Sequence, residues 1–447
     1  MPPSPRRPGA SPSPPADARA GALALLRAVL GHRQTMSEAR DAPDTPFAGL
    51  APPEQARALR LAQATLRNLD RADATLAPHL RKPPPEPVRT ILRLAVCECM
   101  VFDAPAHGVV NAAVALARDS RKGAALSGLV NAVLRQATAT PRAAWEALPP
   151  QRLPPWLRKP MVSAWGKVAV AAMEAAHLQG APLDLTLRDP SQTGDWAAQL
   201  GAEVLATGSL RLPAGAQVTA LPGYAEGAWW IQDAAAALPA RLLAPHPGAR
   251  VLDLCAAPGG KTLQLATMGA DVSALDVSAP RLERLHQNLT RTGLRAQVIT
   301  ADALDWRPEA PFDAILLDAP CSASGTIRRH PDMPLVRQQA DLDALCALQA
   351  QLLDRALDPS AGLLLSGGRV VYCTCSLLPA EGEDQIAAAL NRHPQVRPYP
   401  PNLPGADPAW ARRGGLRTRP DHWVAQGGLD GFFMAVLDHC PDATTRG

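Results

Sequence analysis

What this chain of 447 residues lacks narrows the possibilities first. No apolar run approaches the ~20 residues of a membrane span, so no membrane partner is expected. No Cys-x-x-Cys pair and no Cys/His cluster has zinc-ligand spacing, so no metal centre is expected either. The dinucleotide fingerprint Gly-x-Gly-x-x-Gly is absent, as is any convincing internal repeat. Lysine is scarce: Lys82, Lys122, Lys159, Lys167 and Lys261 are the five in the chain, and every other basic side chain is arginine. The opening MPPSPRRPGASPSPPA has arginines but no apolar stretch of the kind a signal peptide needs. That predicts a cytoplasmic chain whose eight cysteines stay reduced.

What is present suits a multidomain globular protein. Apolar residues make up 47% of the chain, and at ~100–200 residues per domain its length allows several real cores. Proline, at 47 residues, is about twice as common as usual. Beside so much Ala, Gly and Arg, this fits a GC-rich genome and carries no functional weight. The formal charge of +4 conceals an asymmetry: residues 1–150 hold 19 basic and 12 acidic side chains, the remainder 26 and 29. A basic N-terminal third suits an acidic partner such as nucleic acid, although a solvated surface gives the same count.

Periodicity divides the chain further. Residues 1–16 form a Pro/Ser/Arg tail too poor in apolar side chains to pack, and are expected to be disordered. Over 17–140, segments such as ARAGALALLRAVL and EPVRTILRLAVCECMVF repeat apolar residues every three or four positions, which predicts an all-α bundle. Residues 141–235 read as a small α+β domain: a helix near Trp156–Ala175, the strand Leu183–Arg188, and alternating segments around Ala202–Leu212. The stretch LPGYAEGAWWIQDAAAALPARLL then leads into a helix ending near Pro245. Over 236–447, strands such as RVLDLCA, DVSALDV, DAILLDA and RVVYCTC alternate with helices. This predicts a doubly wound parallel sheet with ligands at the carboxyl ends of its strands, closed near one edge by an antiparallel GFFMAVL.

The chemistry gathers at those strand ends. Cys255-Ala256-Ala257-Pro258-Gly259-Gly260-Lys261-Thr262 turns the first strand into a helix, and its glycines let backbone approach a ligand. A phosphate-binding loop would need glycine where Cys255 stands. A purely structural turn would explain the glycines alone. Asp276, Asp302 and Asp318 end the next three strands, and such a series beside a Gly-rich turn favours a nucleoside-binding crevice. Cys321 and Cys375 fall just past neighbouring strand ends, where a thiolate can act as a nucleophile. Cys97, Cys99, Cys346 and Cys440 read as small buried hydrophobes.

Three motifs carry a resemblance. VLDLCAAPGGKT, DAPCSASGTIRRHPD and VVYCTCSLLPAEGE resemble those of the RNA cytosine-5 methyltransferases, in particular the RsmB (Sun) branch that modifies small-subunit ribosomal RNA. HGVVNAAVALAR and LSGLVNAVLRQ resemble the NusB RNA-binding domain fused to that branch, and the likeness runs from Ala18 to Leu437. The tail and the Ala409–Trp423 segment are particular to this chain. The resemblance implies an N-terminal all-α NusB-like bundle, a small α+β linker domain and a C-terminal α/β, Rossmann-like class I methyltransferase. It implies that Cys255, Ala256, Ala257, Pro258, Gly259, Gly260 and Lys261 wrap the methionine and ribose of S-adenosyl-L-methionine. Asp276 would hold the ribose hydroxyls and Asp302 the adenine, with Asp318 between cofactor and base. Cys375 would be the nucleophile that attacks C6 of cytosine, and Cys321 the group that releases the adduct.

The expected partner is ribosomal RNA, single-stranded or locally opened, bound by a monomer. Arg328, Arg329 and His330 could contact flanking phosphates, or form an ordinary solvated basic loop. Transfer RNA enzymes share the catalytic motifs, so a transfer RNA target stays open. A non-catalytic NusB-like antitermination or assembly factor is the rival from another class, and a nucleotide hydrolase the weaker one.

Overall fold

The computed structural model describes residues 17–120, 122–401 and 403–440. The segment 1–16, expected to be a disordered tail, lies outside the described residues. Packing divides the chain into two units, one holding everything to Arg152 together with His330–Val336, the other Leu153–Arg329 and Arg337 onward. Among the described residues no helix is long and apolar enough to cross a membrane.

The first unit is helical, as its periodicity predicts. It contains α1 (Ala18–His32), α2 (Met36–Asp41), α3 (Pro52–Arg67), α4 (Leu69–Leu76), α5 (Glu86–Phe102), α6 (Ala106–Arg118), α7 (Ser127–Ala137) and α8 (Arg142–Glu146). Asp17 caps α1 by accepting from the Arg19 N–H, and Thr35 with Glu38 closes a capping box on α2. On α5, Ile91, Leu92, Leu94, Ala95 and Val96 are all buried, so this helix is apolar on most sides and forms the bundle's centre. Its buried Glu98 is answered by Arg19 at 2.7 Å and Arg57 at 3.3 Å, as a carboxylate removed from water requires. Val336 joins this core, with Met333 and Leu335 packed against it, and the Met36 N–H donates to Asp332 Oδ2 at 2.8 Å.

The second unit begins with α9 (Pro155–Gln179), interrupted by Gly166 at φ +80°. A four-stranded antiparallel sheet follows, built from β1 (Leu183–Leu187), β2 (Glu203–Val204), β3 (Leu210–Leu212) and β4 (Trp229–Ile231) in the order β2-β3-β1-β4, with α10 (Thr193–Leu200) between β1 and β2. β4 lies in a stretch read from sequence only as an approach to a helix. Three residues are too few to show a period, and pairing with β1 defines them.

Next come α11 (Leu238–Leu243), β5 (Arg250–Leu254), α12 (Gly260–Thr267), β6 (Asp271–Asp276), α13 (Ala279–Thr292), β7 (Gln297–Thr300) and β8 (Phe312–Asp318). After α14 (Met333–Val336), which belongs to the first unit, follow α15 (Gln339–Leu357), β9 (Leu364–Thr374), α16 (Glu383–Arg392), β10 (Val396–Tyr399), β11 (Ala411–Arg412), β12 (Gly415–Thr418) and β13 (Phe432–His439). The large sheet runs β11-β12-β13-β9-β8-β5-β6-β7, with β10 also pairing β13. β9-β8-β5-β6-β7 are parallel. Alternate residues face opposite layers: Leu316 and Val371 pack with Leu242 of α11, Ile315 and Val370 with Leu353 of α15. Cover on both faces explains why these strands read as unbroken apolar runs. The expected antiparallel closing strand is β13, but it is interior. β12 and β10 pair with it, and the Ala409–Trp423 segment supplies the β11–β12 hairpin.

Candidate active site

The parallel strands end at one rim, and the site grows from the turns there. After β5, Cys255 takes the left-handed conformation (φ +62°), Ala257-Pro258 is cis, and Gly259 sits at φ +104° before α12. A Cβ at Gly259 would fall 2.3 Å from Leu285 Cδ1, so both conformation and space demand glycine. This turn lies against the end of β6. Asp276, buried, accepts from Ala257 N–H at 3.1 Å and Ser278 N–H at 2.9 Å, with Arg281 at 3.6 Å. At the end of β7, Asp302 is exposed and accepts from Leu304 N–H at 2.9 Å.

Across β5, the start of α12 meets the end of β8. Lys261 is buried, and its Nζ lies 2.6 Å from Asp318 Oδ2 and 5.3 Å from the Phe432 ring. Burial alone would lower the lysine's pKa, but the Asp318 carboxylate outweighs it and the ammonium is held above its ordinary value. The other Asp318 oxygen, Oδ1, accepts from the Cys373 thiol at 3.4 Å. Beneath this pair, fully buried Asp253 accepts from Thr262 Oγ1 at 2.6 Å, while its Oδ1 has no partner among the described residues. Burial pushes its carboxyl up to about 7.

Cys321 and Cys375 stand just beyond β8 and β9, which are neighbours, and their sulfurs are 3.4 Å apart as free thiols. Cys321 is raised well above the ordinary thiol range, first by its hydrogen bond with Cys375 and then by burial. The Gly325 N–H donates to Cys375 O at 2.9 Å and Gly325 O accepts from Gly431 N–H at 2.8 Å, which ties the two cysteine turns to the start of β13. A Cβ on Gly325 would fall 1.8 Å from Gly431 O, so only glycine permits this approach.

Two readings change. Arg328 does not offer itself to phosphate: it is completely buried, 3.1 Å from Asp233 and 3.2 Å from Asp430, and donates to Gly427 O at 2.6 Å. Arg329 Nε binds Asp430 at 2.7 Å as well. The neutralising carboxylates come from distant parts of the chain, which the local run Arg-Arg-His does not reveal. His330 is exposed and belongs with the helical unit. Of the cysteines read as buried hydrophobes, Cys97 is fully buried, whereas Cys99, Cys346 and Cys440 are half-buried. Sequence reasoning also passed over Glu381, which is fully buried behind the two cysteine turns. Its signal was its place in the motif VVYCTCSLLPAEGE.

A Gly-rich turn opening a helix at the rim of a parallel sheet, flanked by acidic strand ends, defines an S-adenosylmethionine-dependent methyltransferase of Rossmann-like architecture. The profile described as "16S rRNA methyltransferase RsmB/F" matches residues 240–438, and that of the NusB family residues 16–139. A Pseudomonas syringae pv. tomato protein named "Ribosomal RNA small subunit methyltransferase B" is 39% identical over 403 residues, covering 84% of this chain and 87% of its own length. A Vibrio cholerae protein of the same name is 34% identical over 446 residues, covering 94% and 96%. The chain belongs to the RsmB/F family of 16S rRNA methyltransferases. The crystal structure of PH0851 shares the fold at TM-score 0.70 and 23% identity over 95% of this chain and 99% of its own. A methyltransferase homolog from Pyrococcus horikoshii gives TM-score 0.52 at 26% identity over 63% and 93%.

Proposed function

We propose that this enzyme methylates C5 of a cytosine in small-subunit ribosomal RNA through a covalent adduct between Cys375 and C6 of the base. The observation that carries the reading is the pair of free thiols 3.4 Å apart beside the Lys261–Asp318 pair, at the rim of the parallel sheet.

The residues fit the cofactor. The backbone N–H groups at the start of α12 would face it, the Asp276 carboxylate would take ribose hydroxyls, and Asp302 would take the adenine amino group, with Cys255 to Lys261 enclosing the methionine end. S-adenosylmethionine, when bound, supplies an electrophilic methyl group on a sulfonium. The protein's task is to make C5 nucleophilic.

The Cys321 thiol, held well above the ordinary thiol range, lies within hydrogen-bond distance of the Cys375 sulfur, which would act as the thiolate. Attack by that thiolate forms the S–C6 bond and drives the C5–C6 π electrons toward C5. Asp318, oriented by Lys261 Nζ and the Cys373 thiol, shares a proton with N3 and stabilises the developing charge. Once Cys375 is bonded to carbon, the hydrogen bond that contributes most to raising the Cys321 thiol is lost. After C5 has taken up the methyl group, Cys321 gives its own proton to solvent and, as thiolate, removes the C5 proton. The electrons of that C–H bond restore the C5–C6 double bond and expel Cys375 as thiolate.

The test is methyl transfer to unmethylated small-subunit ribosomal RNA, with the product mapped by bisulfite sequencing. Wild-type enzyme should protect one cytosine and Cys375→Ala none, while binding cofactor normally. Methyl incorporation at another base or atom would refute the assignment, as would turnover by the Cys375→Ala enzyme. Transfer RNA as the better substrate would keep the chemistry and change the target.

A further inference from the structure

Each thiol of the pair is followed by a serine, and both serines face one buried carboxylate. Glu381 Oε2 accepts from Ser322 Oγ and from Ser376 Oγ, each at 2.5 Å. Its Oε1 accepts from the Ser322 N–H at 2.8 Å and from Gln349 Nε2 at 3.0 Å. The Glu381 backbone is fixed too, because its carbonyl oxygen accepts from Tyr372 OH at 2.9 Å and Thr374 Oγ1 at 3.0 Å. The carboxylate is therefore anchored to β9 and to α15, and it bridges the turn that follows β8 and the turn that follows β9. Two oxygens meeting four donors use the full acceptor capacity of the group. All four donors are neutral, so hydrogen bonding rather than an ion pair satisfies this fully buried acid.

We propose that Glu381 is a positioning residue: its carboxylate clamps Ser322 and Ser376 together and so sets the separation of the Cys321 and Cys375 thiols. The proposal rests on the roles given above to those thiols for its relevance to catalysis, but not for its geometry. A glutamine at this position would keep only one accepting oxygen and would force both serine hydroxyls to accept from its N–H₂ group instead of donating. The negative charge also contributes to the raised pKa of Cys321.

The experiment reads the thiol separation directly, in the full chain without RNA or cofactor. Diamide accepts two electrons and two protons from a pair of thiols, giving a disulfide and the hydrazine, and its rate depends on how often the two sulfurs meet. Closure of Cys321 to Cys375 would be followed by alkylation and peptide mass mapping. Glu381→Gln should slow closure at least tenfold and lower kcat by a similar factor. The KM for RNA and the cofactor Kd should stay within twofold. A Glu381→Gln enzyme with normal cofactor Kd and unchanged closure overturns the proposal, whether or not kcat falls. Slowed closure with unchanged kcat would keep the clamp and instead refute the thiol mechanism of the preceding section. If Glu381→Gln does not fold, Ser376→Ala, which removes one donor, decides: closure slowed about threefold supports the clamp, and wild-type closure overturns it.

Discussion

Asp253 lies fully buried at the floor of the site, one oxygen held by Thr262 and the other unpartnered among the described residues. Its folded-state pKa of about 7 stands well above the unfolded value of 3.8. Between those two values the unfolded chain has released a proton that the folded chain keeps. The stability this group contributes is therefore complete below the unfolded pKa and is lost as pH rises through the folded one. Three pKa units correspond to about 4 kcal/mol in all, of which roughly 2–3 kcal/mol should disappear between pH 5 and pH 8. Asp253→Asn is neutral throughout and its amide can still accept from Thr262. Urea unfolding of both proteins across this range, followed by the fluorescence of the buried Trp229, Trp230 and Trp410, should show the asparagine variant gaining on wild type as pH rises. A difference that stays flat from pH 5 to pH 8 would show that Asp253 is ionised throughout and that Lys261 compensates for its burial.

Cys321→Ala should accumulate a covalent protein–RNA adduct, visible as a slow band on denaturing gels; its absence would remove the release role. Lys261→Arg should lower methylation at least tenfold at unchanged RNA affinity, because the larger planar head cannot occupy the space between Asp318 and the Phe432 ring. Turnover within twofold of wild type would show that charge alone matters there. Arg328→Met would leave Asp233 and Asp430 without their shared cation and should cost about 3–5 kcal/mol in denaturant unfolding. A loss of RNA affinity without loss of stability would return Arg328 to the phosphate-binding role. Gly325→Ala should destabilise by about 1–3 kcal/mol, because the added Cβ meets backbone rather than a movable side chain. An unchanged urea midpoint would mean that the turn relaxes freely.

The parts of this molecule that were readable in its sequence are those whose cause is local. A run such as VLDLCAAPGGKT shows a buried strand, a turn that demands glycine and a helix start within twelve positions, and the structure keeps all three. The spacing of Asp276, Asp302 and Asp318 behind successive strands was readable for the same reason. What escaped was defined by partners far along the chain. Arg328 looked like a surface cation because Asp233 and Asp430 lie about a hundred residues away on either side. Glu381, between Ala and Gly, carries no local sign of burial, because the two serines that close on it come from different strand ends. β4 and β11 are too short to carry a period, and only pairing makes them strands.

The stretch His330–Val336 has a consequence for how the protein is made. A ribosome completes the first eight helices of the first unit by Arg152, yet α14 with Val336 and the Asp332 contact to Met36 emerge only after the whole of Leu153–Arg329. The N-terminal unit must therefore wait, with part of its apolar interior uncovered, while the first half of the catalytic sheet is synthesised. A cut after Arg152 would separate neither unit cleanly. One fragment would lack a closing piece of its core, and the other would carry Met333, Leu335 and Val336 into water. The two units are thus joined by three chain crossings rather than one, and neither can be exchanged by splicing at a single junction.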